Sequence, residues 1–169
     1  NPSHSLPFVT WALIAVNAAV FIHELRIDAK LGLELDAFVK NYALTPAVWK
    51  SAKVPLFHKW SQVVTSMFLH GSFLHFLSNA RSLWIFGDNV EDRLGHIKYL
   101  VFYLLCGVAA AGVHVGTNWG SDVPVLGASG AIAGVMGAYL IMFPRAKVVT
   151  VVPVFIFMHY AEVPALFFL

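Results

Sequence analysis

The stretch that decides the fold is "GASGAIAGVMGAYL", residues 127 to 140, which lies inside a charge-free run from Val123 to Pro144. That run is about as long as the roughly 20 residues that a helix needs to cross about 30 Å of hydrocarbon. Its glycines leave one side of the helix nearly bare, so a neighbouring helix can approach closely. The segment therefore predicts a closely packed membrane helix with a hydroxyl, Ser129, between glycines at its start.

The composition of the whole chain is that of a membrane protein. Of its 169 residues, 59% are apolar and 12% are charged, whereas soluble proteins average about 45–50% apolar and about 25% charged. Other charge-free runs cover Asn1 to Ile22, Ser61 to Ala80 and Tyr99 to Gly120, and a further apolar stretch begins near Val148. We predict an all-α, polytopic transmembrane helix bundle with four complete spans and a truncated fifth. The net charge of +2 argues against a nucleic-acid partner.

The connections between the spans differ in length. The first, roughly Glu24 to Lys59, mixes charged residues with leucine, phenylalanine and tryptophan, a pattern typical of short helices lying in the membrane interface. The others are short and run from Gly87 to Lys98, Thr117 to Asp122 and Arg145 to Lys147. With no internal repeat, residues 1–169 are predicted to form a single domain, incomplete at its C-terminal end.

The short connections predict an orientation. Two of them carry Lys or Arg, whereas the one between the third and fourth spans has neither. By the positive-inside rule the N-terminus is then cytoplasmic and Ser129 lies near the outer side. The six Lys and Arg of the first connection argue the other way, but the three acids after Glu24 partly offset them. The expected location is a multi-pass position in the lipid bilayer, with a bacterial plasma membrane favoured over an organelle.

Ser129 has two interpretations. It is either one more small residue of the glycine seam or a nucleophile. The second is favoured by its place at a helix start, where unpaired N–H groups and the positive end of the helix dipole can stabilise an oxyanion. The flanking Gly127 and Gly130 leave room for a substrate carbonyl.

A second group of polar residues lies in "FLHGSFLHFLSN", residues 68 to 79. His75 and Asn79 are four apart, on one helix face and about 6 Å apart along the axis, and His70 can add a hydrogen-bonding anchor. They either bond between helices or line a wet catalytic cavity. A metal site is not predicted, because His70 and His75 do not share a face and no cysteine or acid accompanies them.

Taken in order, "HGSFLHFLSN", "GDNVEDRLG" and "GASGAIAG" resemble the rhomboid intramembrane serine proteases over nearly the whole chain. The resemblance implies a six-helix core with the serine at the start of a short fourth helix, in a water-filled cavity that opens outward. It makes Ser129 the nucleophile and assigns His75 and Asn79 to the oxyanion hole, with room provided by Gly127. It also matches Glu91 and Arg93 to a structural E-x-R brace. The expected partners are transmembrane protein substrates, and no cofactor is implied.

Three features depart from the family pattern. Trp60 is followed by Ser61 where many relatives have arginine. Arg81 stands inside the predicted second span, where inserting a charged side chain into the membrane costs roughly 2.5–3.5 kcal/mol on the translocon scale. The family's catalytic base, a histidine on the sixth helix in "AHxxG", is not present. His159 is the only histidine after Ser129, and it is expected at the far end of the fourth span, beyond the reach of a base. The base is therefore expected on a missing sixth helix, and this chain alone is expected to be inactive.

Three functions follow from these residues. The first is hydrolysis of a peptide bond in a substrate's transmembrane segment by a Ser–His dyad. The second is a catalytically inactive relative that binds transmembrane clients through the same cavity, which the absent base favours. The third is a helical channel or transporter. Ser129 on the glycine-flanked helix start favours the first, because neither binding nor conduction needs a hydroxyl there.

Overall fold

The computed structural model describes residues 5–28, 33–154 and 157–168, leaving out the side chains at 33, 151–154, 157, 159 and 168. The described chain is a helical bundle followed by a β-hairpin. The α-helices are α1 Phe8–Asp28, α2 Leu33–Tyr42, α3 Pro46–Lys50, α4 Leu56–Ser66, α5 Phe73–Ser82, α6 Asp88–Leu94, α7 His96–Thr117 and α8 Ser129–Met142. The other elements are a π-helical turn Leu83–Gly87, strands β1 Lys147–Val154 and β2 Phe157–Pro164, and a 3-10 turn Ala165–Phe168.

Two of the described helices, α1 and α7, are long and apolar enough to cross a membrane, while α8 is apolar but shorter. With 14 residues, α8 is about 21 Å long at about 1.5 Å per residue. It therefore falls short of the roughly 30 Å of hydrocarbon. The described chain is mostly helical, in line with the predicted all-α bundle, whereas the expected number of four complete spans is not confirmed.

The predicted second span, Ser61 to Ala80, is wrong as a single helix. The chain leaves helical structure between α4 and α5, where Gly71 precedes Ser72 and the Ser72 hydroxyl caps α5 by accepting a bond from the His75 N–H at 3.2 Å. A glycine and an N-cap serine favour a new helix start there. From Phe73 the chain stays helical through α5, the π-turn and α6 as far as Leu94. Most of the predicted connection from Gly87 to Lys98 is therefore helical.

The first connection contains short helices, as its composition predicts, and it holds the loop that precedes α8. Leu44 and Val125 exchange two backbone hydrogen bonds, at 2.9 and 2.8 Å, and the Ala47 N–H donates to the Ser121 carbonyl at 2.9 Å. These three bonds join residues far apart in sequence. They fix the path of the chain as it enters the GASG stretch.

The glycine seam packs α8 against α7. A Cβ atom at Gly130 would lie 2.5 Å from the Cβ of Ala110, and one at Gly134 would lie 2.3 Å from the Cys106 sulfur. Both separations are too short for real atoms, so the two backbones can be this close only because those positions are glycine. The buried core around the seam includes Val135 and Tyr139 of α8.

The last apolar stretch does not form the expected helix. From Lys147 to Pro164 it forms an antiparallel hairpin in which Lys147 pairs with Pro164 and Val154 with Phe157. The run "VVTVV" at residues 148 to 152 is β-branched throughout, and such residues prefer strands. The truncated fifth span predicted from Val148 is thus replaced, over the described residues, by strands.

Candidate active site

Ser129 is the first residue of α8, and it is exposed, while the preceding Ala128 is fully buried. The turn into the helix depends on Gly127, whose φ of +126° is a backbone conformation that side-chain-bearing residues rarely adopt. The Gly127 N–H donates to the Ser66 carbonyl at 2.8 Å. The end of α4 therefore holds the turn that presents the Ser129 hydroxyl.

His75 lies beside this turn. A Cβ atom at position 127 would lie 2.6 Å from His75 Nε2 and 3.7 Å from Ser129 Oγ. The imidazole and the hydroxyl thus both lie close to the space that a side chain at Gly127 would occupy. Residues that are 54 positions apart in sequence share one small space because Gly127 has no side chain.

Asn79 follows His75 by one helical turn and is buried, with 6% of its surface exposed. Its side-chain Nδ2 donates to no described group. A buried donor without an acceptor costs about 1–3 kcal/mol, so such a group is usually explained by a ligand, an ion or a function.

A cavity of about 190 Å³ opens beside Ser129. Its wall includes the glycine turn, the end of α4 and one face of α7. The polar side chains that line it are Ser66, His114 and Ser129. His114 is not among the residues predicted from the sequence, although a histidine in the last turn of an apolar helix, just before the connection to α8, is a signal for it.

His70 lies behind His75, in the connection between α4 and α5, and it does not line the cavity beside Ser129. Its ring is 5.2 Å from the His75 ring, centroid to centroid, and packs edge-on against Phe21 and Phe76. Its backbone N–H donates to the buried carboxylate of Glu24. Burial, and secondarily the charge of His75, lower the pKa of His70 to about 4. His70 is therefore neutral at neutral pH and supports the His75 ring from behind.

Glu91 joins the opposite end of the bundle. It is fully buried, and its carboxylate accepts bonds from the backbone N–H groups of Val9 and Thr10 and from the Thr10 hydroxyl, at 2.7 to 2.9 Å. It thereby caps the first turn of α1, whose N–H groups have no partner within the helix. Arg93 is exposed and donates to no described residue. Within the described residues, the glutamate of the E-x-R pair forms the side-chain hydrogen bonds that join α6 to α1.

His159 lies in β2, and the hairpin follows α8 at the end opposite Ser129. The side chain of His159 is not among those that the structure describes. The Glu162 carboxylate accepts a bond from Lys147 at 3.0 Å across the hairpin.

These features define a helical membrane protein with a serine at a glycine-flanked helix start, a histidine against the same glycine, and a buried asparagine one helical turn after that histidine. The family model for the Rhomboid domain matches residues 58–168. The chain therefore belongs to the rhomboid family, as its motifs predict.

Relatives come from bacteria and from mitochondria. The chain is 27% identical over 148 residues to Rhomboid protein 1, mitochondrial, of Saccharomyces cerevisiae, covering 83% of this chain and 38% of that protein. It is 35% identical over 86 residues to the putative rhomboid protease YdcA of Bacillus subtilis, covering 50% and 42%. It is 36% identical over 98 residues to Presenilin-associated rhomboid-like protein A, mitochondrial, of Danio rerio, covering 56% and 26%. The chain spans less than half the length of these relatives.

Proposed function

We propose that the protein is an intramembrane serine endopeptidase that cleaves transmembrane segments of membrane-protein substrates, with Ser129 as its nucleophile. The observation that carries the proposal is that Ser129 and His75 both lie close to the space left by the missing side chain of Gly127, with the exposed Ser129 lining a cavity. Membership of the rhomboid family and the relatives whose names include rhomboid protease support it.

In this proposal Ser129 Oγ attacks the carbonyl carbon of the scissile peptide bond, and its proton passes through a histidine base to the leaving amine. Water then hydrolyses the acyl-enzyme and restores the serine. The oxyanion accepts hydrogen bonds from the Asn79 amide, from the imidazole of His75 and from the Ser129 backbone N–H. One such donor contributes about 3–4 kcal/mol of transition-state stabilisation in a preorganised site.

The base in this mechanism is a histidine outside residues 1–169, on a sixth helix. One observation favours the second candidate, a catalytically inactive protein that binds transmembrane clients: among the described residues, no group forms a hydrogen bond with Ser129 Oγ. The same cavity serves both candidates, so activity decides between them.

Cleavage of a transmembrane test substrate by the full reading frame in lipid vesicles tests the proposal. The substrate is a single helix with small residues and a helix-destabilising glycine near its outer end. We expect cleavage within the helix, and none by the 169-residue chain alone. A full-length protein that co-purifies with the uncleaved substrate and never cleaves it would establish the inactive, client-binding function instead.

The location we propose is a bacterial plasma membrane, crossed several times. The Bacillus subtilis relative supports it, while the relatives named mitochondrial fit an organelle membrane. The membrane location itself follows from the family.

A further inference from the structure

An apolar groove runs along α7 on the side away from α8. Its volume is about 300 Å³, and its floor contains Gly112 and Gly116, where an added Cβ would meet no atom within 4 Å. Three tryptophans form its walls. They are Trp49 of α3, Trp60 of α4 and Trp119 of the loop after α7.

The tryptophans mark the depth of the groove in the bilayer. Trp60 and Trp119 are 52% and 61% exposed, and Trp49 packs edge-on against Trp60 with ring centroids 5.3 Å apart. Tryptophan collects where hydrocarbon meets the headgroups, because its ring is apolar and its N–H is polar. The groove therefore passes from the headgroup level into the hydrocarbon at the Ser129 end of the molecule.

One wall of the groove carries a polar group without a partner. The Trp49 indole N–H is buried, and no described group accepts a hydrogen bond from it. A buried tryptophan N–H usually has an acceptor. Without one, the buried donor costs free energy, as any buried polar group without a hydrogen-bond partner does. The site thus needs an acceptor oxygen that the described protein does not supply.

A positive charge lies at the mouth of the groove. Lys50 directly follows Trp49, and its Nζ is 3.9 Å from the position of a Cβ on Gly120, the neighbour of Trp119. Among the described residues, no carboxylate forms a salt bridge with Lys50. The apolar groove is complementary to an acyl chain, and the unpaired Trp49 N–H to an ester or phosphate oxygen. The Lys50 cation is complementary to a phosphate.

We propose that this groove is a binding site for one anionic phospholipid. One acyl chain lies along Gly112 and Gly116, an ester or phosphate oxygen accepts from Trp49 Nε1, and the phosphate pairs with Lys50. The lipid comes from the leaflet at the Ser129 end, where it contacts the same helix that lines the cavity beside Ser129. The inference rests on the membrane location that the family gives and is independent of the proposed protease activity.

Native mass spectrometry of the purified protein, titrated with phosphatidylglycerol or phosphatidylcholine, tests the site. We expect one retained phosphatidylglycerol and about fivefold weaker binding of phosphatidylcholine. Fivefold corresponds to about 1 kcal/mol for one lysine near an anionic lipid. Gly116→Leu, whose Cβ meets no atom within 4 Å and whose side chain occupies the groove, should abolish the retained lipid. Lys50→Gln should remove the preference for phosphatidylglycerol.

Gly137→Leu is the matched control, because a Cβ at Gly137 also meets no atom within 4 Å but lies on α8, away from the groove. It should bind lipid like the unchanged protein. Equal retention of lipid by Gly116→Leu and by the unchanged protein would overturn the site. A finding that a second copy of the chain, and not a lipid, covers the groove would overturn it as well. If Gly116→Leu fails to fold, Lys50→Gln decides alone: an undiminished preference for phosphatidylglycerol overturns the proposal.

Discussion

At the scale of single residues, the account depends on His75 and Gly127, which lie close to Ser129, and on the buried Asn79, one helical turn after His75. Asn79 is buried with an unpaired amide, His75 lies beside the turn, and Gly127 makes room between the imidazole and the hydroxyl. Asn79 and Gly127 lead to different predictions. In the proposed mechanism Asn79 acts on the transition state, whereas Gly127 sets the geometry around Ser129 before the reaction.

Asn79→Ala should lower kcat more than it raises KM, because an oxyanion-hole donor acts in the transition state. The expected loss in kcat is about 10²–10³-fold, the effect of removing one such donor. Steady-state kinetics on the transmembrane test substrate measures it. Asn89→Ala is the control, since Asn89 is equally buried, at 7% exposure, but lies at the other end of the same continuous helix. An unchanged kcat with a much weaker KM would assign Asn79 to substrate binding instead.

Gly127→Ala should reduce kcat/KM at least tenfold. The new methyl would lie 2.6 Å from His75 Nε2, and φ of +126° is strained for alanine, at a cost of about 1–3 kcal/mol. The control is Gly71→Ala, whose methyl would make an ordinary contact, 3.7 Å from Leu126. Full activity of Gly127→Ala, with His75 unmoved, would contradict the close contact between position 127 and His75 Nε2.

At the scale of elements, the close approach of α7 and α8 positions the site. Gly130→Ala should destabilise the protein by about 1–3 kcal/mol, the usual cost of overpacking, because its methyl would lie 2.5 Å from the Ala110 Cβ. Thermal unfolding in detergent measures the change. Ala110→Gly in the same chain should restore much of the loss, since the two positions are coupled by contact. Gly137→Ala, in open space, should be neutral, and an additive double variant would refute the contact.

The elements also show how far the sequence predicts this fold. Charge-free length correctly indicated a membrane helix at Tyr99–Gly120, where α7 lies, and the glycines of α8 correctly indicated a bare, closely packed face. Charge-free length failed as a predictor at Ser61–Ala80. It registers only the absence of charge, and not the glycine and the capping serine at which one helix ends and another begins. Charge-free length failed again after Lys147, where the apolar content matches a membrane span. The chain forms strands there, as its β-branched residues favour.

The candidate site was predictable in part. The motif order indicated Ser129, His75 and Asn79 as site residues, and their catalytic roles stay predictions. The cavity position of His114 and the Ser66 carbonyl that holds Gly127 depend on contacts between distant segments. Such contacts leave no local pattern in the chain.

At the scale of the whole molecule, the orientation in the membrane remains a prediction of the short connections. In a Cys106→Ala background, a cysteine at Ser121 should react with an impermeant maleimide in intact cells, because positive-inside topology puts that loop outside. A cysteine at Ala146 should react only after the cells are permeabilised. The reversed pattern would place the opening beside Ser129 on the cytoplasmic side.

The most direct test of the central claim is the mapping of a fluorophosphonate probe on the full-length protein by peptide mass spectrometry. If Ser129 is the nucleophile, the probe forms its phosphonate ester on Ser129, and Ser129→Ala abolishes both labelling and cleavage while leaving thermal unfolding nearly unchanged. Ser82→Ala, a serine on α5 outside the cavity, should label like the unchanged protein. Undiminished cleavage by Ser129→Ala, or a probe attached to another serine, would contradict the account.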